Sequence, residues 1–308
     1  MLKRLRPTTL AHILLLAVVF VWGSTFVLIK DALQDASPLL FNLLRMSLAF
    51  IALAIVNHRQ LRHINRYAVA SGLIVGFFLA AGYQLQTAGL ALTTPAKSAF
   101  ITGLVVVFVP LLMIVPALRP AQTAPPRWTS AVGALLAFSG LLLLTTPAGT
   151  SFQNLFVSIG FGDLLTLACA IAFAGHLLSL AHTSHRIPTA QLATLQIGVA
   201  ALIMLITLPL GGRLHLAVTP RLFAALAITS LLATAAAFTI QSWAQQHLPP
   251  THTALLLTLE PVFALLTSFL ILHEHLGLRS LLGAALILAG IATIELLSAV
   301  DPLPIHPD

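Results

Sequence analysis

Runs of apolar residues, separated by short polar or proline-containing turns, recur along almost the whole chain. Lipid offers no partners for backbone amides, so a run of about 20 apolar residues crosses a bilayer as a helix that satisfies its own hydrogen bonds. We recognise ten such runs, near residues 11–29, 39–56, 67–90, 98–118, 128–145, 159–181, 190–210, 222–245, 253–272 and 281–298. No connecting segment is long enough for an extramembrane domain. The pattern predicts an all-α integral membrane protein with ten transmembrane helices.

The composition excludes a water-soluble globule. Of the 308 residues, 58% are hydrophobic and 7% are charged, whereas soluble proteins are about one quarter charged. The formal charge of +7 does not indicate nucleic-acid binding, because the 15 lysines and arginines are scattered among apolar runs and form no dense patch. The single cysteine, Cys169, permits neither an intramolecular disulfide nor a cysteine-based metal site. We therefore expect a lipid bilayer as the surroundings and no nucleic-acid partner.

The N-terminus resembles a secretory signal peptide, because Lys3, Arg4 and Arg6 precede the first apolar run. That run is long enough to span a bilayer, however, and no small-residue cleavage site in a polar stretch follows it. We predict a first transmembrane helix that is retained.

Basic residues near the span ends predict the orientation, since they stay on the cytoplasmic side. With the N-terminus inside, eight basic residues of the first half face the cytoplasm, against Lys30 and Lys97 outside. In the second half the bias reverses, with Arg186 inside and three arginines outside. Two five-helix halves of opposite charge bias are typical of an inverted repeat. We predict repeats at 1–146 and 159–299, a linker at 147–158, a tail at 300–308, and cytoplasmic termini.

Residue correspondences between the halves support a duplication. Gly133 and Gly140 recur 150 positions later as Gly283 and Gly290. Glycines seven apart lie on nearly the same face of a helix and permit close packing, so we interpret them as scaffold. Further pairs lie 151 or 155 positions apart: Trp22 with Phe173, Thr25 with His176, Arg45 with Gln196, Tyr83 with Phe238, and Gln86 with Gln241.

On each of four helices, an aromatic and a polar residue from this set lie three positions apart and therefore share a face. These are the four aromatic–polar pairs of the chain. Such groups line a transport cavity when they converge, because rings offer apolar surfaces and polar groups offer directional hydrogen bonds. The predicted substrate-binding residues are Trp22, Thr25, Tyr83, Gln86, Phe173, His176, Phe238 and Gln241, with Asn42 and Gln196 as weaker candidates. The alternative is that the same groups hydrogen-bond between helices and hold the bundle together.

Two charged residues lie within predicted spans, where charge is costly and a functional role is the default hypothesis. Glu260 precedes Pro261 in span nine and is a candidate for coupling transport to protons. Its alternative role is to satisfy backbone groups that the proline loosens. Arg45 in span two is expected to face the cavity or an internal acidic partner. It can bind a substrate carboxylate, pair structurally, which we favour, or extend toward the outer face.

The 12 histidines raise the question of a metal site. His182 and His185 lie close together, as do His273 and His275 around Glu274, but both groups fall at span ends. The chain has no HExxH motif, so we interpret both groups as solvated loop residues and predict no metal and no cofactor. The alternative is an intramembrane metallo-hydrolase or a metal carrier.

Several strings, in this order, resemble the EamA family of the drug/metabolite transporter superfamily. They are WGSTFVLIK at 22–30, FNLLRM around Arg45, TTPAKSAFITGL, GDLLTLACAIAFAGHLL from Gly162, QSWAQQHLPPTHTALLLTLEPVFALL from Gln241, and HEHLGLRSLLGAALILAG from His273. The resemblance implies a ten-helix carrier of two repeats that exports small metabolites, often amino acids or related compounds, across the bacterial cytoplasmic (inner) membrane. One departure is that the helix proline of span four, Pro110, lies about one turn away from the equivalent of Pro261.

We therefore expect a secondary transporter that works by alternating access, with a small-molecule substrate and no enzymatic activity. The direction, export, rests on the resemblance alone. A facilitator or uptake carrier on the same scaffold stays open, as does a membrane enzyme acting on a lipid-linked substrate. An enzyme needs a convergent set of catalytic groups, and the sequence presents no such set. The substrate, the coupling ion and the oligomeric state do not follow from the sequence.

Overall fold

The computed structural model describes residues 6–120, 128–145, 159–248, 253, 256–257, 259–273 and 277–298. The predicted linker and C-terminal tail lie outside these residues, as do Glu274 and His275. The long helices are α1 Pro7–Ala32, α2 Pro38–Val56, α3 Arg66–Leu92, α4 Pro95–Leu112, α5 Trp128–Thr145, α6 Phe161–Thr183, α7 Thr189–Thr207, α8 Pro220–Ala244, α9 Glu260–Leu272 and α10 Leu278–Ser298. A four-residue helix, His58–Leu61, lies between α2 and α3, and a 3-10 turn, Leu208–Gly211, follows α7. Among the described residues there is no β-strand, only one isolated bridge between Ala36 and Leu216. The prediction of an all-α fold is confirmed.

Among the described residues, seven helices, α1 to α4 and α6 to α8, are long and apolar enough to cross a membrane. The other three predicted spans contain shorter apolar helical stretches at Ala131–Leu141, Glu260–Leu272 and Leu278–Gly290. A multi-span membrane protein is therefore confirmed, whereas the count of ten spans and the inverted arrangement of the halves stay predictions.

Proline and side-chain caps explain where several helices begin. Pro7, Pro38, Pro95 and Pro220 lie in first turns, where a missing backbone N–H costs nothing. The side chains of Asn65, Thr94 and Thr219 accept hydrogen bonds from the first turns of α3, α4 and α8.

Helix α4 ends earlier than predicted. It breaks at Gly103 and Leu104, resumes at Val105 and ends at Leu112, two residues after Pro110. A short 3-10 turn, Pro116–Leu118, occupies the rest of the predicted span. Proline inside a helix removes a backbone hydrogen bond, and here α4 ends within one turn of it.

The helices pack in a bundle with the polar site in its middle. Helix α3 packs on α6 and α7, α1 on α8 and α9, α2 on α7 and α8, α4 on α6, and α5 on α10. At the contact between α5 and α10, Gly140 and Gly283 face each other. A Cβ on Gly140 would lie 2.5 Å from the carbonyl oxygen of Gly283. The glycines that we interpreted as packing positions therefore lie where two backbones meet.

We expect Gly140→Leu to lower the free energy of unfolding by about 1–3 kcal/mol, because the added side chain must push two backbones apart. The matched control is Gly277→Leu, since a Cβ at Gly277 would meet no described residue within 4 Å. Unfolding of the purified proteins in mixed micelles, followed by circular dichroism, measures the difference. Equal unfolding midpoints for the two variants would contradict the close packing.

One end of the bundle carries the ion pairs that the structure describes. Arg221 contacts both carboxylate oxygens of Asp35, with Nε–Oδ2 and Nη2–Oδ1 distances of 2.7 Å, and reaches Asp31 at 3.2 Å. Thr219 donates a further hydrogen bond to Asp35. At the same end, Lys97 pairs with Asp163 at 2.7 Å. These pairs tie the α1–α2 loop to the start of α8, and the start of α4 to the start of α6.

We expect stability to fall at acidic pH partly through Asp35. Hydrogen bonds from Arg221, and then Thr219, lower the pKa of Asp35 from 3.8 to about 2. Because the folded pKa is the lower one, this contribution is present above about pH 3.8 and disappears as the pH falls through about 2. The stability of Asp35→Asn, measured by thermal unfolding at several pH values, should lack this part of the acid dependence. The control is Arg213→Gln, which leaves the pair intact; an unchanged acid profile in Asp35→Asn would refute the assignment.

Candidate functional site

A central cavity lies where α1, α2, α3, α4, α6, α8 and α9 meet. The space open to the centre of a water molecule is about 70 Å³, and one water needs roughly 10–15 Å³ by this measure. The cavity therefore has room for several waters or part of a small molecule. Ten of the twelve predicted site residues line it: Trp22, Thr25, Arg45, Tyr83, Gln86, Phe173, His176, Phe238, Gln241 and Glu260.

Aromatic rings from four helices form one wall of the cavity. Tyr83 lies 5.4 Å from Phe173 and 5.9 Å from Phe238, measured between ring centroids. Phe238 also contacts Trp22 at 5.4 Å and His176 at 5.6 Å. Such edge-on and tilted contacts are favourable beyond the burial of area. The wall therefore brings together the aromatic residue of each of the four aromatic–polar pairs.

Arg45 is buried and bonded only to neutral groups within the described part of the chain. Its Nε donates to Thr234 Oγ1 at 2.7 Å, and its Nη2 donates to the Tyr83 hydroxyl at 3.1 Å and to the Ala233 carbonyl at 3.2 Å. The guanidinium carbon lies 4.4 Å from the centre of the Tyr83 ring. No described carboxylate pairs with it, and its Nη1 makes no hydrogen bond to a described residue. The acidic partner that we favoured for Arg45 is therefore not found among the described residues, and the Arg45 side chain faces the cavity.

Asn42 is one of the two predicted site residues that do not line the cavity. It is fully buried between α2 and α3, donates to the Tyr83 carbonyl at 2.9 Å and accepts from Thr87 at 3.0 Å. These bonds use both ends of its amide. The structure thus places Asn42 behind Tyr83 as a link between two helices.

Gln196, the counterpart of Arg45, is also buried behind the cavity wall. Its carboxamide oxygen lies 2.8 Å from Nε2 of His176, and its nitrogen donates to Ser242 at 3.2 Å. An amide oxygen only accepts, so Nε2 of His176 carries the hydrogen and Nδ1 has a free lone pair. His176 can therefore accept a hydrogen bond from a ligand.

Two cavity side chains have unused acceptors. The buried Oε1 of Gln241 has no hydrogen-bond partner among the described residues. Glu260 begins α9, next to Pro261 in the first turn, and its carboxylate forms no ion pair or hydrogen bond with the described residues. The role of Glu260 as a partner for loosened backbone groups therefore finds no support here. A buried acceptor without a partner is costly, so Oε1 of Gln241 is positioned to receive a donor from a ligand or water. The half-buried carboxylate of Glu260 lines the same cavity and can accept from the same donors.

Six further residues line the cavity that the sequence did not single out: Phe26, Ile29, Thr102, Val105, Leu177 and Leu257. Thr102 accepts from Gln86 at 3.4 Å. It lies within the string TTPAKSAFITGL that resembles the family, but nothing in its spacing separates it from other threonines. The aliphatic residues carry no signal beyond that of any buried helix face. Within the described residues, no group of three His, Cys, Asp or Glu side chains could hold a metal ion.

A bundle of apolar membrane helices around a buried cavity of rings and a few convergent polar groups defines a membrane carrier. Residues 9–146 and 160–296 each match the EamA-like transporter family. The chain belongs to this family, which confirms the resemblance, and it is a membrane transporter.

Relatives share this description. An uncharacterized transporter of Archaeoglobus fulgidus is 30% identical over 279 residues, covering 91% of this chain and 83% of the relative. The uncharacterized transporter YoaV of Bacillus subtilis is 24% identical over 287 residues, covering 90% and 94%. A solved structure, described only as a crystal structure of a protein, aligns with a TM-score of 0.65 at 20% identity, covering 94% and 97%. This last similarity concerns the fold alone.

Proposed function

We propose that the protein is a secondary transporter that exports small metabolites, such as amino acids or related compounds, by alternating access. The observation that carries the proposal is the central cavity, where four aromatic–polar pairs from both halves of the chain converge. In carriers built from repeats, substrates bind between the repeats near the middle of the membrane. Export rests on the family resemblance; uptake or facilitated diffusion would use the same cavity.

The packing supports an inverted repeat as the basis of alternating access. When each helix is exchanged for its counterpart five helices away, the contact of α3 with α6 becomes that of α8 with α1, and the contact of α4 with α6 becomes that of α9 with α1. The ring pair Trp22–Phe238 becomes Phe173–Tyr83, and both pairs have centroids 5.4 Å apart. The family profile also matches the chain twice, once in each half.

The groups in the cavity suit a small molecule with an acidic group and an apolar part. A guanidinium is a strong partner for a carboxylate, and Arg45 has no described carboxylate to compete with the substrate. The ring wall offers an apolar surface, and Gln241 and His176 offer acceptors. Glu260 supplies the coupling: its carboxylate exchanges a proton as the cavity alternates between the two sides. A membrane enzyme is less favoured, because these groups form no nucleophile–base pair.

The proposed membrane is the bacterial inner membrane, with both termini in the cytoplasm. Arg59, Arg62, Arg66, Arg119 and Arg186 lie in or beside the turns that this threading assigns to the cytoplasm. The ion pairs of Asp35 and Asp163 lie at the opposite end. This distribution follows the positive-inside rule for the short loops of the first half.

Transport by purified protein in oriented vesicles tests the proposal. A panel of radiolabelled amino acids and related metabolites is offered to inside-out vesicles with an imposed pH gradient. Export predicts accumulation that requires both the protein and the gradient. Accumulation only in right-side-out vesicles would reverse the direction, and conversion of a compound without flux would replace the carrier by an enzyme.

A further inference from the structure

Helix α8 contains a wide, π-helical segment, Ile228–Ala236, within its span. Helix α3, its counterpart in the proposed repeat, is α-helical throughout Arg66–Leu92. Both helices begin at a capping side chain, Asn65 or Thr219. Tyr83 lies 18 residues after the first cap, whereas Phe238 lies 19 residues after the second. Helix α8 thus holds one residue more than α3 between its cap and the matching aromatic residue, and a π-helical turn is the usual way to accommodate such an insertion.

The C-terminal end of the π-helical segment contacts two cavity side chains from other helices. The Ala233 carbonyl accepts from Trp22 Nε1 at 2.8 Å and from Arg45 Nη2 at 3.2 Å. Thr234 Oγ1 accepts from Arg45 Nε at 2.7 Å and donates to the Thr229 carbonyl at 2.7 Å. Thr229 and Thr234 are both fully buried. One stretch of α8 therefore holds a side chain of α1 and a side chain of α2.

The other half of the chain lacks this arrangement. Gln196, the counterpart of Arg45, bonds to the side chains of His176 and Ser242. The residues of α3 that correspond to Ala233 and Thr234 are Phe78 and Leu79, within a regular α-helix. The π-helical segment thus occurs on the side of the cavity that carries the guanidinium.

We propose that the π-helical segment is a positioning device that holds Arg45 and Trp22 toward the cavity, and that Thr234 is the positioning residue for Arg45. The bonds at Nε and Nη2 orient the planar guanidinium and leave Nη1 without a partner among the described residues. The Trp22 bond sets the indole against Phe238. The proposal rests on the proposed function, in which this cavity binds the substrate.

The first test follows the Trp22 indole without any ligand. Trp128→Phe and Trp243→Phe remove the other two of the three tryptophans. A protein labelled with 15N-tryptophan then shows one indole cross-peak in nanodiscs. Deletion of Leu231, a lipid-facing residue, restores a regular register and is expected to move this cross-peak upfield, because the bond to Ala233 is lost. The control, Leu232→Ala, changes the same surface without changing the register and should leave the peak in place.

The second test keeps the chain length and isolates Thr234. Thr234→Val removes the acceptor of Arg45 Nε and should lower the Tm, whereas Thr234→Ser keeps the hydroxyl and should restore it. In an Arg45→Met background, Thr234→Val should lower the Tm by less than it does in the wild-type background, since only the bond to the Thr229 carbonyl is then left to lose.

An unmoved indole peak in folded protein lacking Leu231, or an equal Tm loss from Thr234→Val with and without Arg45, would overturn the proposal. If the deletion prevents folding, the Thr234 variants decide the question alone. Neither test needs a substrate, so a failed search for transported compounds would affect the proposed function and leave this result standing.

Discussion

Arg45→Met is expected to reduce transport at low substrate concentration by about 10–100-fold. A hydrogen bond to a charged group contributes about 1.5–3 kcal/mol, and each 1.4 kcal/mol is a factor of ten. Arg45 is the cationic side chain among the residues that line the cavity, and its charge has no described carboxylate partner. Loss of the guanidinium therefore removes the group that would bind an acidic substrate. The initial rate of uptake into vesicles, measured with the compound that the wild-type protein transports, gives the effect.

Two further variants separate charge from geometry. Arg45→Lys keeps the charge but loses the planar fork, so we expect an intermediate rate. Arg213→Met removes an exposed arginine far from the cavity and should transport like the wild type. Wild-type rates in Arg45→Met would place the substrate site elsewhere.

Glu260→Gln is expected to abolish accumulation driven by a pH gradient while preserving exchange of substrate between the two sides. Glutamine has nearly the same shape but cannot exchange a proton. A carboxylate that lines a cavity within the membrane, with no described partner for its charge, is suited to this exchange. We expect gradient-driven accumulation to fall by at least about tenfold. A tenfold change corresponds to about 1.4 kcal/mol of free energy that proton coupling no longer supplies. Counterflow of labelled substrate without a gradient measures the exchange that remains.

The matched control is Asp31→Asn, which removes an exposed acid at the end of α1 that pairs with Arg221. It should keep the gradient-dependent accumulation. Full pH-dependent transport by Glu260→Gln would show that protons are coupled by another group or not at all.

The membrane fold could be predicted because the length of an apolar run has a direct physical meaning. Each of the seven confirmed candidate spans overlaps a run seen in the sequence. The boundaries were less predictable. Helix α4 ends at Leu112, six residues before the predicted end, because Pro110 and Pro116 interrupt the helix within a run that is apolar throughout.

The membership of the cavity could be predicted where two residues of known type share a helix face. The pairs Tyr83–Gln86 and Phe238–Gln241 both line the cavity, as their spacing of three predicts. The position of Asn42 could not be predicted in this way. A single polar residue in an apolar helix needs a hydrogen-bond partner, and the sequence does not identify that partner. Asn42 bonds to the Tyr83 carbonyl instead of facing the cavity.

The sequence by itself determined that this chain lies in a membrane, that it is helical and that it carries matched aromatic–polar pairs in two halves. These properties depend on local residue type and spacing. Only the tertiary structure decided what surrounds Arg45. Thr234 lies 189 positions away in the sequence, and Ala233 contacts Arg45 through its backbone carbonyl, which its residue type does not reveal. Such contacts depend on how helices rotate and pack against each other, and on one wide turn in α8. The neutral partners of a buried charge therefore follow from the packing of the bundle and not from any pattern along the chain.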